Sequence, residues 1–130
     1  MYAKLMEKIE NKTAVLGVVG LGYVGLPLAV EKAKAGYIVK GFDVQEKKVE
    51  MVNSGHNYIG DVVDSDLKKI VDEGRLTAYA DFAHIHECDC VAICVPTPLD
   101  KYYQPDISYV ESSAKALAEY SKPGILVVLE

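Results

Sequence analysis

The sequence lacks an excess of basic residues and lacks any long hydrophobic run. Its 14 lysines and arginines face 19 aspartates and glutamates, which gives a formal net charge of −5. Proteins that bind nucleic acids usually present a basic face, so this balance argues against a polyanionic partner. No apolar run approaches the roughly 20 residues that a membrane-spanning helix needs. We therefore expect neither a nucleic-acid partner nor a membrane partner.

The sequence is also poor in cysteine and lacks a secretory signal. Its 3 cysteines form an odd set, which argues against a disulfide framework and for a reducing compartment. Charged residues interrupt the N-terminal segment where a signal peptide would be apolar. Leu5, Met6 and Ile9 instead share one side of a helical wheel. We expect a cytoplasmic protein whose residues 1–12 form a helical extension that docks on the domain.

What the sequence does contain is an alternation of strand and helix patterns. Half of its 130 residues are hydrophobic, which suits one globular domain. The alternation predicts an α/β fold with a doubly wound parallel sheet over residues 13–130. Strands are predicted at 14–19, 38–42, 76–79, 91–95 and 125–129, and helices at 24–35, 45–53, 64–73 and 108–120.

Capping residues support these helix ends. Gly36 and Gly74 follow the last turns of predicted helices, where a left-handed residue is favoured. Asp64 or Ser65 is expected to cap the third of these helices. Ser108 and Glu111 have the spacing of a capping box, which predicts the start of the fourth.

A glycine motif lies between the first predicted strand and the first helix of the domain. Gly20, Gly22 and Gly25 occupy a G-x-G-x-x-G pattern in the stretch GLGYVG. In this context the first glycine permits a tight turn, the second lets a pyrophosphate approach the backbone, and the third lets helix and strand pack closely. The N–H groups of Tyr23 and Val24 then lie at the positive end of the helix dipole. The pattern predicts a dinucleotide site, the alternative being a turn with no ligand.

An acidic residue follows at the expected distance. Asp43 ends the second predicted strand, 18 residues after Gly25. A carboxylate at this place accepts hydrogen bonds from the adenosine ribose hydroxyls. It also repels a 2′-phosphate, and no arginine follows within the next few residues. The sequence therefore predicts NAD as the cofactor in preference to NADP.

Four stretches, two of which contain the glycine motif and Asp43, carry a resemblance to a known family. The stretches GLGYVGLPLA, GFDV and ICVPTPL, the last followed by PDISYV, resemble the N-terminal NAD-binding domain of the UDP-glucose/GDP-mannose dehydrogenase family. Within that family the chain is most similar to bacterial UDP-N-acetylglucosamine and UDP-N-acetylmannosamine 6-dehydrogenases. The resemblance implies a Rossmann-type domain that ends before the family's substrate domain.

The resemblance also implies an activity. Family members oxidise the C6 alcohol of a UDP-sugar to a carboxylate and consume two NAD, in pathways that supply surface polysaccharides such as capsule. We expect the full-length protein to act on UDP-N-acetylhexosamine or UDP-glucose and to form a homo-oligomer. The family's catalytic cysteine lies far downstream, so no catalytic residue is assigned here and the fragment itself is expected to be inactive.

The resemblance assigns cofactor contacts at individual positions. Tyr23 and Val24 would offer backbone N–H groups to the pyrophosphate, and Asp43 would bind the adenosine ribose. Lys48 would lie near the same ribose. Thr97 would contact the cofactor from the Pro-Thr-Pro loop. The alternative for that loop is a solvent-facing threonine.

Thr97 has independent support from fold geometry, because ligands of open α/β sheets bind at the carboxyl ends of the strands. Pro96 and Pro98 stiffen the loop around it. The adjacent Tyr102 and Tyr103 are interpreted as surface aromatics in preference to a ligand or subunit contact.

The segment HIHECDC raises a metal hypothesis. In an extended chain its His84, His86, Cys88 and Cys90 would face one way, and such ligands suit zinc. We favour a short helix or loop, with Cys90 and Cys94 as small buried hydrophobic residues, because no C-x2-C spacing is present. We therefore predict no metal site.

Two other functions remain open. The chain could be a stand-alone module that senses a dinucleotide and signals through a partner. It could also belong to a 3-hydroxy acid dehydrogenase, which shares the glycine loop but not the Pro-Thr-Pro loop.

Overall fold

The chain forms a five-stranded sheet flanked by helices, in a computed structural model that describes residues 2–60, 62–96 and 98–129. The strands are β1 (Val15–Val19), β2 (Ile38–Phe42), β3 (Leu76–Tyr79), β4 (Cys90–Ile93) and β5 (Leu126–Leu129). The helices are α1 (Tyr2–Glu10), α2 (Gly25–Lys34), α3 (Glu46–Asn53), α4 (Asp64–Asp72) and α5 (Ser108–Tyr120), with a 3₁₀ helix at Phe82–Glu87. The predicted strands and helices are all present, and no end differs from its predicted position by more than two residues.

All four pairings in the sheet are parallel, and the strand order is β3-β2-β1-β4-β5. Strand β1 lies in the middle, where Val18 is in register with Gly41 of β2 and Ala92 of β4. The chain runs outward from β1 to one side first and to the other side later. The strand order therefore reverses between β1 and β4, which is where open α/β sheets bind ligands.

Apolar residues cover both faces of the sheet, as the predicted doubly wound fold requires. Consecutive residues of a strand point to opposite faces. Val18 packs in a cluster with α2, α3 and α4, whereas Val19 packs in a second cluster with the 3₁₀ helix and α5. Both valines are buried. Burial on both faces explains why β1 reads as a continuous apolar run.

Helix α1 is attached to the edge of the sheet at which the strands begin, here called the amino edge. The Tyr37 hydroxyl donates to the carbonyl of Ile9 at 2.9 Å. Lys8 forms an ion pair with Asp89 at 3.1 Å.

Among the residues that the structure describes, no helix is both long enough and apolar enough to cross a membrane.

Two of the predicted helix caps are wrong. Helix α4 begins at Asp64 itself, with Val63 in the cap position and no side-chain cap hydrogen bond. Its first-turn acids act on the helix dipole instead. Helix α5 likewise begins at Ser108, so the Ser108–Glu111 capping box does not form. Asp106 replaces it, because its carboxylate accepts the Ser108 N–H at 2.9 Å. The positive φ angles predicted for the glycines at 36 and 74 are present.

Candidate functional site

The glycine motif forms the loop between β1 and α2, at the edge where the strands end, here called the carboxyl edge. Gly20 has a φ of +95°, and a Cβ there would lie 2.8 Å from the carbonyl oxygen of Cys94. Its own N–H donates to the carbonyl of Phe42 at 2.7 Å. The loop therefore turns sharply between β2 and β4, in a conformation that L side chains rarely adopt.

The other two glycines of the motif differ from each other in what surrounds them. A Cβ on Gly25 would lie 1.6 Å from the carbonyl oxygen of Gly20, so only glycine lets α2 start against the end of β1. A Cβ on Gly22 would meet no atom within 4 Å. Gly22 is therefore not required by protein packing, and the space where its Cβ would lie is open.

The start of α2 supplies hydrogen-bond donors at this open space. The first N–H groups of a helix have no acceptor within the helix, and they carry the positive end of its dipole. Tyr23 and Val24 precede the first helical residue, and the two residues are 82% and 55% exposed. The arrangement is the one that binds phosphate groups in other proteins.

Asp43 directly follows β2 and contacts the glycine loop. One carboxylate oxygen accepts the N–H of Leu21 at 2.9 Å, and the other accepts the N–H of Gln45 at 2.8 Å. Each carboxylate oxygen can accept a further hydrogen bond. Asp43 therefore shapes the loop and keeps acceptor capacity for ribose hydroxyls. Its hydrogen bond to Leu21 was not predicted from the sequence.

A cavity of about 300 Å³ opens beside the glycine loop. Four of the predicted site residues line it, namely Gly20, Asp43, Lys48 and Pro96. The remaining glycines of the motif, together with Tyr23 and Val24, lie outside its lining. Thr97 is outside the residues that the structure describes, so its predicted cofactor contact stays a prediction.

Sequence reasoning missed the far wall of this cavity. Phe82, from the 3₁₀ helix, and Tyr109, Ser112 and Ser113, from the first turns of α5, line it together with Ala116. Tyr109 lies in the PDISYV stretch, but no sequence pattern assigned any of these residues to the site. They reach the site because α5 packs against the 3₁₀ helix, a contact between parts of the chain that are far apart in sequence.

A second cavity, of about 310 Å³, lies between α1 and the sheet. Its lining is mostly apolar and includes Ile9, Leu16 and Val128. Neither the glycines of the motif nor Asp43 are among the residues that line it. We identify the candidate site by the donors and acceptors at the carboxyl edge and not by cavity size.

The histidine and cysteine residues of the segment HIHECDC do not converge. His84 pairs with Glu87 at 3.0 Å and stacks on Tyr79, with ring centroids 4.1 Å apart. Burial raises the pKa of the Cys88 thiol to about 12, which disfavours the reactive thiolate. Within the described ranges, no three His, Cys, Asp or Glu side chains group closely enough to hold a metal ion. Cys94 is buried, as expected, but Cys90 is only partly buried.

The two adjacent tyrosines lie on an exposed loop. Tyr102 and Tyr103 are 70% and 84% exposed, and neither lines the cavity. Asp100 holds this loop, because one of its carboxylate oxygens accepts the N–H groups of Tyr102 and Gln104. The arrangement matches the interpretation of surface aromatics.

A parallel sheet of this order, with a glycine loop at the point of reversal and an acid after β2, defines a Rossmann-type dinucleotide-binding domain. Residues 14–130 match the NAD-binding domain of the UDP-glucose/GDP-mannose dehydrogenase family. The chain belongs to that family, and the matched part is the one that binds NAD.

Relatives named for their activity are similar over most of this chain. It is 39% identical over 121 residues to UDP-N-acetyl-D-mannosamine dehydrogenase of Escherichia coli K12, which covers 90% of this chain and 27% of that protein. The solved NDP-N-acetyl-D-galactosaminuronic acid dehydrogenase of Methanosarcina mazei Go1 superposes with a TM-score of 0.85 at 33% identity, over 98% of this chain and 29% of that one. The chain thus spans little more than a quarter of the length of these relatives.

A more distant likeness concerns the fold alone. The (S)-3-hydroxybutyryl-CoA dehydrogenase of Ralstonia eutropha superposes with a TM-score of 0.63 at 13% identity. It shares the dinucleotide-binding fold and gives no support to a 3-hydroxy acid as substrate.

Proposed function

We propose that this chain is the NAD-binding part of a nucleotide-sugar 6-dehydrogenase, which oxidises the C6 alcohol of a UDP-sugar to a carboxylate. The observation that carries the proposal is the open backbone at Gly22 beside the Asp43 carboxylate, in a chain of this family. The oxidation removes two hydrides, one to each of two NAD molecules, and water supplies the second carboxylate oxygen.

The chain's own residues would bind and orient the cofactor. The pyrophosphate would lie against Gly22, where a Cβ would meet no protein atom within 4 Å, and would accept hydrogen bonds from the N–H groups of Tyr23 and Val24. Asp43 would accept hydrogen bonds from the adenosine ribose hydroxyls. When bound, NAD supplies the hydride acceptor of the reaction.

Lys48 and the loop after β4 would complete the cofactor contacts. Lys48 lines the same cavity as Asp43, so its ammonium group would approach the ribose. Pro96 lines this cavity as well, and as a proline it would stiffen the loop that carries Thr97. We propose Lys48 and Pro96 as cofactor-binding residues because they line this cavity, and Thr97 because the family resemblance assigns it a cofactor contact.

Asp43 supports NAD in preference to NADP. Its carboxylate would face the 2′ position of the ribose, where a phosphate would be repelled. The next residue, Val44, is exposed and cannot compensate the phosphate charge. We therefore expect selective binding of NAD.

The sugar is proposed as a UDP-N-acetylhexosamine. Similar proteins are named UDP-N-acetyl-D-mannosamine dehydrogenase in Escherichia coli and UDP-N-acetyl-D-glucosamine 6-dehydrogenase in Pseudomonas aeruginosa.

The family's cysteine nucleophile is not assigned to this chain, and the buried Cys88 is unsuited to that role. Cytoplasmic location and homo-oligomerisation of the full-length protein are part of the proposal, the first supported by the odd number of cysteines.

Titration calorimetry tests the cofactor part of this proposal. NAD, NADH and NADP are titrated separately into the 130-residue chain. We expect NAD and NADH to bind and NADP to bind at least about tenfold more weakly, which corresponds to about 1.4 kcal/mol. Absence of any heat from NAD and NADH at millimolar concentration would overturn the proposal.

A further inference from the structure

The peptide groups around Leu21, in the middle of the glycine loop, are held from two sides. The Leu21 N–H donates to the Asp43 carboxylate at 2.9 Å. The Leu21 carbonyl accepts a hydrogen bond from the Tyr58 hydroxyl at 2.6 Å. The Leu21 side chain is fully buried and packs against Gly41 of β2. A Cβ at position 41 would lie only 2.9 Å from it.

Tyr58 comes from the irregular segment between α3 and α4, and that segment is itself anchored. The Asn57 side chain accepts the N–H of Ile59 at 2.8 Å and donates to the carbonyl of Val62 at 2.5 Å. Ile59 and Val62 are buried in the same cluster against which the Tyr58 ring packs. The Asn57 hydrogen bonds and the packing of the ring therefore hold the Tyr58 hydroxyl in position beside Leu21.

The Leu21 carbonyl and the Gly22 N–H belong to one planar peptide group. In a trans peptide these two bonds point in opposite directions. A hydrogen bond that fixes the carbonyl therefore also fixes the direction of the Gly22 N–H. Glycine has no Cβ to restrict its backbone, so this outside restraint matters more here than at other residues.

We propose that Tyr58 is a positioning residue for the dinucleotide, which acts by holding the Leu21–Gly22 peptide so that the Gly22 N–H points to the bound pyrophosphate. The inference rests on the proposed function, since the pyrophosphate is placed there by it. Asp43 and Tyr58 hold two consecutive peptide groups of the loop, and only Asp43 also reaches the ligand.

The ionisation of Tyr58 supports a donor role. Burial, and then the negative charge of Asp43, raise the pKa of its hydroxyl above the ordinary value. The hydroxyl therefore stays protonated at neutral pH and can donate to the Leu21 carbonyl there.

The chain offers a matched control for removing this hydroxyl. Tyr37 makes the same kind of bond, a phenol hydroxyl donating to a backbone carbonyl, at 2.9 Å from Ile9 and far from the glycine loop. Tyr58→Phe and Tyr37→Phe each delete one such hydrogen bond. Only the first lies beside the proposed cofactor.

The experiment measures the dissociation constant of NAD and urea unfolding for the wild type and both variants. We expect both variants to lose stability, and Tyr58→Phe alone to weaken NAD by about 5- to 30-fold, the effect of one misplaced hydrogen bond. An unchanged NAD affinity in folded Tyr58→Phe overturns the inference, as does equal weakening in both variants. If Tyr58→Phe is largely unfolded, the titration is repeated in sucrose, which favours the folded chain.

A second readout separates the inference from the proposed function. In a ¹⁵N–¹H spectrum without ligand, the Gly22 amide resonance should move in Tyr58→Phe and stay in place in Tyr37→Phe. An unmoved resonance in Tyr58→Phe would also overturn the inference. If the wild type fails to bind NAD, the proposed function fails, whereas the Gly22 resonance still reports whether Tyr58 orients this peptide.

Discussion

The two edges of the sheet each carry one aspartate beside an end of β1, and the two differ in what surrounds the charge. Asp43 at the carboxyl edge and Asp89 at the amino edge are both 8% exposed. Each accepts a backbone N–H, Asp43 from Leu21 at 2.9 Å and Asp89 from Val15 at 2.8 Å. The two acids therefore share one kind of backbone contact, and Asp43 accepts a second N–H, from Gln45 at 2.8 Å.

The two aspartates differ in whether a cationic side chain lies close to the carboxylate. Lys8 lies 3.1 Å and Lys122 lies 3.9 Å from Asp89. In the part of the chain that the structure describes, Asp43 takes part in no ion pair. It lines a cavity instead. A carboxylate compensated within the fold serves stability, and one left uncompensated beside a cavity is available to a ligand.

The largest expected effect comes from the carboxyl edge. In Gly25→Ala the new Cβ would collide with the Gly20 carbonyl at 1.6 Å, so the loop must move. We expect a loss of about 3 kcal/mol or more in the free energy of unfolding, and no measurable NAD binding. Gly22→Ala is the control, because no atom lies within 4 Å of its Cβ. It should change stability by less than about 0.5 kcal/mol and still weaken NAD. Urea unfolding and calorimetry measure both, and equal destabilisation by the two variants would contradict this account.

Exchanging each aspartate for asparagine tests the comparison directly. Asp43→Asn should weaken NAD about tenfold and reduce the preference for NAD over NADP, because the ribose loses a charged acceptor. Asp89→Asn should lower the free energy of unfolding by about 1–3 kcal/mol and leave NAD affinity unchanged. The measurements are NAD and NADP titrations and urea unfolding of both variants. If Asp89→Asn weakened NAD as much as Asp43→Asn does, the distinction between the edges would be lost.

The pH dependence of stability should report Asp89. Burial alone would raise the pKa of its carboxyl, but the Val15 N–H and then Lys8 outweigh burial and lower it. A carboxyl whose pKa is lower in the folded state stabilises the fold above its unfolded pKa, near 3.9. That stabilisation is lost as the pH falls through the folded pKa. Urea unfolding between pH 7 and pH 3 should therefore show a smaller acid-induced loss in Asp89→Asn than in the wild type, and parallel profiles would count against this role.

The smallest expected effect concerns Lys48. Lys48→Gln removes a positive charge from the cavity wall and should weaken NAD about two- to fivefold, since partly exposed charges contribute little in water. Lys47→Gln removes the same charge from an exposed neighbour in α3 and should leave the affinity unchanged. Titrations at low and high salt check this result, because the Lys48 effect should shrink as salt screens it. Equal NAD affinities for the two variants would show that Lys48 is not a cofactor-binding residue.

Local patterns predicted the strands, the helices and the near side of the site. The buried strands read as apolar runs, and the glycine spacing placed Gly20, Gly22 and Gly25 at the end of the first of them. The predicted caps at Asp64 or Ser65 and at Ser108 were wrong, because α4 begins at Asp64 and α5 begins at Ser108. Before α5 the Asp106 carboxylate accepts the N–H of Ser108 instead.

What the sequence determined by itself is the α/β alternation, the tight glycine turn and an acid at the end of β2, because each depends on residues close together in the chain. Only the tertiary structure decided that Tyr58 holds Leu21 and that α5 closes the cavity with Tyr109. These contacts join residues far apart in sequence, and they follow from strand order and helix packing. The same holds for the two aspartates. Their sequence contexts do not reveal that lysines compensate the charge of Asp89, or that Asp43 lines a cavity.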